Sequence, residues 1–66
     1  MEITLNNEKK NIGQDSLHAL ITETLGDKTK GIAVAVNEVV IPKASWQARV
    51  LKPGDRVFII RATQGG

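Results

Sequence analysis

The chain has 66 residues, 41% of them hydrophobic and 24% charged, and nine Lys and Arg against seven Asp and Glu leave a formal charge of only +2. A chain of this size buries only about 60% of its unfolded surface, which leaves room for one small soluble domain and none for a deep catalytic cleft. The charges are spread rather than blocked, so nucleic acid is not implied as a partner.

Ile3 and Leu5 alternate with Glu2 and Thr4, which reads as a half-buried strand. Asn6-Asn7 tolerates positive φ and predicts a hairpin into a second strand at Lys9–Ile12. Gly13 to Asp15 break that strand. Asp15 or Ser16 then offers an acceptor to the free amides that open a helix, with Ser16 the better cap. Leu17, Leu20, Ile21 and Leu25 recur at spacings of three and four, an apolar helix face suited to packing on a sheet, and Gly26 ends it.

After the charged connection Asp27–Lys30, the segment Ile32–Val36 alternates in a strand suited to burial. Asn37-Glu38 is the expected turn into a return strand at Val39–Ile41, which Pro42 ends because proline cannot donate to a ladder. Lys43–Arg49 has room for one short helical turn. Lys52-Pro53-Gly54-Asp55 is the clearest turn, with proline fixing φ at its second position and glycine permitting positive φ at its third. Val57–Ile60 is a continuous apolar run between Arg56 and Arg61, consistent with a central strand covered on at least one face. The pattern predicts an α+β domain, one main helix across a mixed sheet of about five strands.

Most conventional chemistry is missing. With no cysteine there are no disulfides, thiolate metal sites or redox pairs. His18 is the lone histidine and has no second ligand of its type, so it belongs on the helix surface or rim and no metal site is expected. Asp15, Ser16 and His18 are the residue types of a hydrolase triad, but near-neighbours at one helix start point in different directions. Pro53-Gly54 lacks a phosphate-loop pattern and is a structural turn. Trp46 is open between core and interface, with core favoured; Phe58 is open between core and sheet face. The start MEITLNNEKK lacks the pattern of a signal peptide, and no apolar run approaches the ~20 residues that span a bilayer. The expectation is a cytoplasmic protein without a membrane partner.

What remains is Gly65-Gly66, an unhindered α-carboxylate on backbone with no side chains. Two glycines fall together at a given pair of positions in about 0.5% of chains, so the pair is informative only in context. The context is a short N-terminal hairpin, a helix beginning near SLHAL, the stretch IAVAVNEVVIPKASW, the turn and strand LKPGDRVFII, and the terminal Gly-Gly. Together, over essentially the whole length, these segments resemble the ThiS-type sulfur carriers of thiamine biosynthesis, within the ubiquitin-like β-grasp superfamily.

That resemblance implies a single β-grasp domain over residues 1–66, with 62–66 as an extended reactive tail. It implies that an E1-like adenylating enzyme of the ThiF type uses ATP to adenylate the carboxylate of Gly66. Sulfur from a donor such as a cysteine desulfurase system then gives a thiocarboxylate, which a ThiG-type thiazole synthase receives. The chain itself would be no enzyme and would hold no stably bound cofactor. Gly65, with Gln64 and Thr63 behind it, would enter the partner's active site; five extended residues reach at most about 17 Å. Phe58 and Ile60, with Arg61 and Lys52 for electrostatic steering, are the candidates for docking. A carrier for molybdopterin or another acceptor, a ubiquitin-like protein modifier, and a non-reactive β-grasp binding module stand as alternatives.

Overall fold

Two tight asparagine turns build the two hairpins of the fold. In the computed structural model, which describes residues 1–61, Asn6-Asn7 joins β1 (Glu2–Leu5) to β2 (Glu8–Asn11) with φ of 51° and 70°. Asn37-Glu38, at 52° and 71°, joins β3 (Ile32–Val36) to β4 (Val39–Val40). Positive φ at both central residues is the type I′ arrangement, whose twist matches that of paired strands, and Asn enters it at less cost than most residues.

Between the hairpins lies α1 (Leu17–Leu25). Ser16 Oγ accepts from the Ala19 N–H at 3.1 Å, and the N–H of Gly26, at φ 65°, closes the other end by donating to the Thr22 carbonyl at 2.7 Å. Leu17, Leu20 and Ile21 are fully buried, as their spacing requires. The last strand, β5 (Arg56–Arg61), is launched by the Lys52–Asp55 turn, where the Asp55 N–H donates to the Lys52 carbonyl at 3.0 Å and Gly54 takes φ 86°. The Asp55 carboxylate is buried, and it accepts from the Lys52 N–H at 2.8 Å and from Asn37 Nδ2 at 2.9 Å. It thereby ties this turn to the one between β3 and β4.

The sheet order is β2-β1-β5-β3-β4. β1 and β5 run parallel and every other neighbouring pair is antiparallel, which is the mixed sheet expected. One face carries Ile3, Val34, Val36 and Val57 into a single core with Leu17, Leu20, Ile21, Leu51 and Trp46. Trp46 sits in a 3-10 helix (Lys43–Ala48) and is 2% exposed, so it is a core residue, and its indole N–H donates to the Ile41 carbonyl at 2.9 Å. Arg49–Leu51 then laces onto the start of α1, with the Leu17 N–H donating to Arg49 at 3.2 Å and the Leu51 N–H to Asp15 at 2.7 Å.

Two strands differ from the sequence expectation by one residue at their boundaries. β2 begins at Glu8 and ends at Asn11, and β4 stops at Val40 rather than Ile41. Ile41 still donates to the Val34 carbonyl at 2.8 Å but is buried, because the chain is already turning inward to deliver Trp46.

Candidate functional site

β5 is the central strand, and it ends at Arg61, the last described residue. Thr63, Gln64, Gly65 and Gly66, the residues expected to react or to enter a partner, lie outside the described residues; what is described is the surface at their root. Strand alternation decides which β5 side chains occupy which face. Val57, fully buried, and Ile59, packed against the core, point to the helix side. Arg56, Phe58 and Ile60 therefore point to the open side, which bears no helix.

On the open face the register builds an apolar patch. Ala35 stands opposite both Phe58 on β5 and Val40 on β4, and Ala33 stands opposite Ile60. The small side chains of Ala33 and Ala35 leave Phe58, Ile60 and Val40 raised above the sheet surface. Ile60 and Val40 are 57% and 67% exposed, and Phe58 is half-buried on this open face. A row of exposed and half-exposed β-branched and aromatic groups running from the central strand to the β4 edge is what a partner surface covers.

The four docking candidates are not brought together. Phe58 and Ile60 share the open face, whereas Arg61, opposite Ile32, belongs to the helix side. Lys52 lies in the turn that precedes β5, at the other end of a six-residue strand from the tail. Val40, Ala33 and Ala35 complete the patch and were not among the sequence candidates. The alternation that carries Ala33 and Ala35 is visible in the sequence, but only the β3–β5 and β3–β4 registers place them and Val40 beside Phe58 and Ile60.

Asn6 fixes the point at which the strand leaves its neighbour. Where β1 turns away, the Asn6 side chain takes the place of a backbone amide: the Ile59 N–H donates to Oδ1 at 2.9 Å and Nδ2 donates to the Ile59 carbonyl at 3.3 Å. β5 thus stays paired on both sides through Ile59, while Ile60 and Arg61 continue against β3 alone.

The remaining chemistry is sparse. Ser16 Oγ caps its helix, and among the described residues no hydrogen bond joins the side chains of Asp15, Ser16 and His18. Among the described residues no group of three or more His, Asp or Glu is placed to hold a metal. His18 sits on the rim of α1, half-buried, beside a groove toward the 3-10 helix that Ile21, Asp27, Lys43 and Trp46 also line. Among the described residues no helix is long and apolar enough to cross a membrane.

A mixed five-stranded sheet in this order, with one main helix across it and a central last strand leading to the chain end, defines a ubiquitin-like β-grasp domain. The crystal structure of thiamine biosynthesis protein ThiS from Geobacter metallireducens has the same fold, with a TM-score of 0.83 at 20% identity over 100% of both chains. The ThiS family matches residues 2–66, and the chain belongs to that family. It is also similar to the sulfur carrier protein ThiS of Escherichia coli (strain K12), at 28% identity over 51 residues, 77% of this chain and 76% of that protein.

Proposed function

We propose that this chain is a sulfur carrier whose working group is the α-carboxylate of Gly66. The observation that carries the reading is the family match, which runs through Gly66 and is borne by a fold whose central strand leads directly to the tail. An ionised carboxylate is a poor electrophile, so it must be activated. An E1-like partner of the ThiF type transfers AMP from ATP to the Gly66 carboxylate, releasing pyrophosphate. The terminal sulfur of a persulfide supplied by a cysteine desulfurase system then attacks the carbonyl and AMP departs, giving an acyl disulfide, and a second thiol cleaves its S–S bond, leaving the thiocarboxylate on Gly66 and carrying the other sulfur away as a disulfide. Lacking Cβ, Gly65 and Gly66 let that carbonyl approach nucleotide and sulfur donor along backbone angles that larger residues resist. Thr63 and Gln64 enter the partner behind them.

The acceptor on this reading is a ThiG-type thiazole synthase, in keeping with the thiamine-biosynthesis name of the Geobacter metallireducens protein. The chain is a substrate of its partners rather than an enzyme, works in the cytoplasm where ATP and those partners are found, and holds no stably bound cofactor. Phe58 and Ile60, joined by Val40, Ala33 and Ala35, dock it.

The test is intact-mass measurement after incubation with the adenylating partner, ATP and a sulfur donor. The expected result is a sulfur-for-oxygen exchange that maps to Gly66 and disappears when Gly66 is deleted. An unchanged mass, under conditions that convert the E. coli carrier with its own enzymes, overturns the reading.

A further inference from the structure

The root of the tail has two unlike sides. Phe58 and Ile60 make one side apolar, while Arg61 points the other way, level with Ile32, the first residue of β3. The segment that leads into Ile32 therefore lies at the same end of the sheet as Arg61. That segment, residues 27–31, carries Lys28 and Lys30, both exposed. It is also held in shape: the Lys28 N–H donates to the Leu25 carbonyl and the Ile32 N–H to the Thr29 carbonyl, each at 3.2 Å. Gly31, at φ 73° in the third position of the Thr29–Ile32 turn, leaves Lys30 at its outer corner.

Lys28, Lys30 and Arg61 thus gather at the end of the sheet where β3 begins and β5 ends. Asp27, the carboxylate of that segment, lines the groove shared with Lys43 and Trp46. Among the described residues the ion pairs are Lys10–Glu23 at 3.7 Å and Arg56–Glu38 at 3.9 Å, and neither uses Lys28, Lys30 or Arg61. At the other end of β5 the charges are mixed, with Lys52 and Arg56 beside Asp55 and Glu38.

We propose that Lys28, Lys30 and Arg61 form a basic collar that engages an acidic lip at the mouth of the adenylating partner's channel, opposite the apolar lip that receives Phe58 and Ile60. The proposal rests on the reading of Gly66 as the adenylated group, and that reaction creates the need. The tail carboxylate and the phosphates of ATP are both anionic, so the reacting groups repel each other and cannot draw the carrier in. Attraction must come from elsewhere on its surface. Screening limits it to about 8 Å at physiological ionic strength, so the attracting charges must sit where the body meets the channel rather than at the far end of the strand. The collar occupies that position, and Lys52 does not.

The experiment measures association of the full chain with its purified adenylating partner by stopped flow across a range of salt concentrations. The collar variant Lys28→Glu/Lys30→Glu/Arg61→Glu is compared with an equally charged control, Lys9→Glu/Lys43→Glu/Lys52→Glu. At low salt the collar variant is expected to associate about tenfold or more slowly than the wild type, with its salt dependence flattened or reversed, and the control to lose far less. Equal losses in both variants assign the effect to net charge, and no loss in the collar variant removes it; either result overturns the proposal. Circular dichroism confirms that both variants fold; should the collar variant not, Lys28→Gln/Lys30→Gln with intact Arg61 takes its place, with a smaller loss in the same direction. Sulfur-for-oxygen exchange on the wild type is read in parallel: its presence with a silent collar sinks only the collar, while its absence sinks both.

Discussion

Several single residues in this chain act through backbone geometry alone, and two glycines separate that effect from packing. A Cβ added at Gly54 or at Gly13 meets nothing within 4 Å, but Gly54 holds φ 86° and Gly13 is outside the positive-φ region. Gly54→Ala is therefore expected to lower stability by about 1–2 kcal/mol, the cost of a left-handed L-residue. Gly13→Ala is expected to be neutral or to stabilise by up to about 1 kcal/mol through the unfolded state. Urea midpoints at unchanged slope measure both; equal losses would contradict the argument. Asn6 is the side-chain counterpart, since it supplies both halves of a ladder bond to Ile59, 53 residues away. Asn6→Ala removes donor and acceptor together and should cost about 1–3 kcal/mol, with the Ile59 amide losing hydrogen-exchange protection. Asn6→Asp keeps the acceptor at Oδ1 and should retain most of that protection.

At the scale of elements, local signals were legible in the sequence and lateral ones were not. The asparagine turns, the Ser16 cap, the Gly26 stop and the Lys52–Asp55 turn each depend on residues within a few positions of one another, and each forms as its residue types dictate. The parallel pairing of β1 with β5, the Asn6–Ile59 contact and the row Val40-Ala35-Phe58 depend on register between distant segments, which side-chain alternation constrains but does not determine. The apolar run Val57–Ile60 illustrates the difference: it reads as a central strand covered on at least one face, and only the sheet reveals that Phe58 and Ile60 are the residues that face away from the helix. The same division separates stability from docking along β5. Ile60→Thr keeps a β-branched side chain on an exposed position, so a change within about 0.5 kcal/mol is expected, together with slower sulfur loading by the adenylating partner. Val57→Ala, one layer into the core, should cost about 1–3 kcal/mol. Thermal melts and loading time courses on both variants test the separation; a large melt shift in Ile60→Thr would place that residue in the core's energetics instead.

For the whole molecule, the sheet has two edges and both are guarded, which bears on how the domain meets others. β2 presents Glu8, Lys9, Lys10 and Asn11, with Lys10 drawn to Glu23 on α1, and its charges oppose an added strand. β4 is two residues long and gives way to Pro42, which has no N–H to offer. A small domain with an exposed apolar patch at its centre would otherwise grow by edge pairing, because ladder bonds are available to any chain with a free edge. Guarded edges leave the open face and the tail root as the surfaces for association, and a face recognises a complementary partner where an edge recognises any strand. The charges on β2 are therefore expected to limit self-association rather than to stabilise the fold. Lys9→Val/Asn11→Val removes the polar groups that β2 presents beside β1 on the open face while leaving the Lys10–Glu23 pair and the core in place. Sedimentation velocity should find the wild type monomeric and the variant associating in proportion to its concentration. A variant that stays monomeric at every concentration would mean that the shortness and twist of the edge strands, rather than their charges, keep the copies apart.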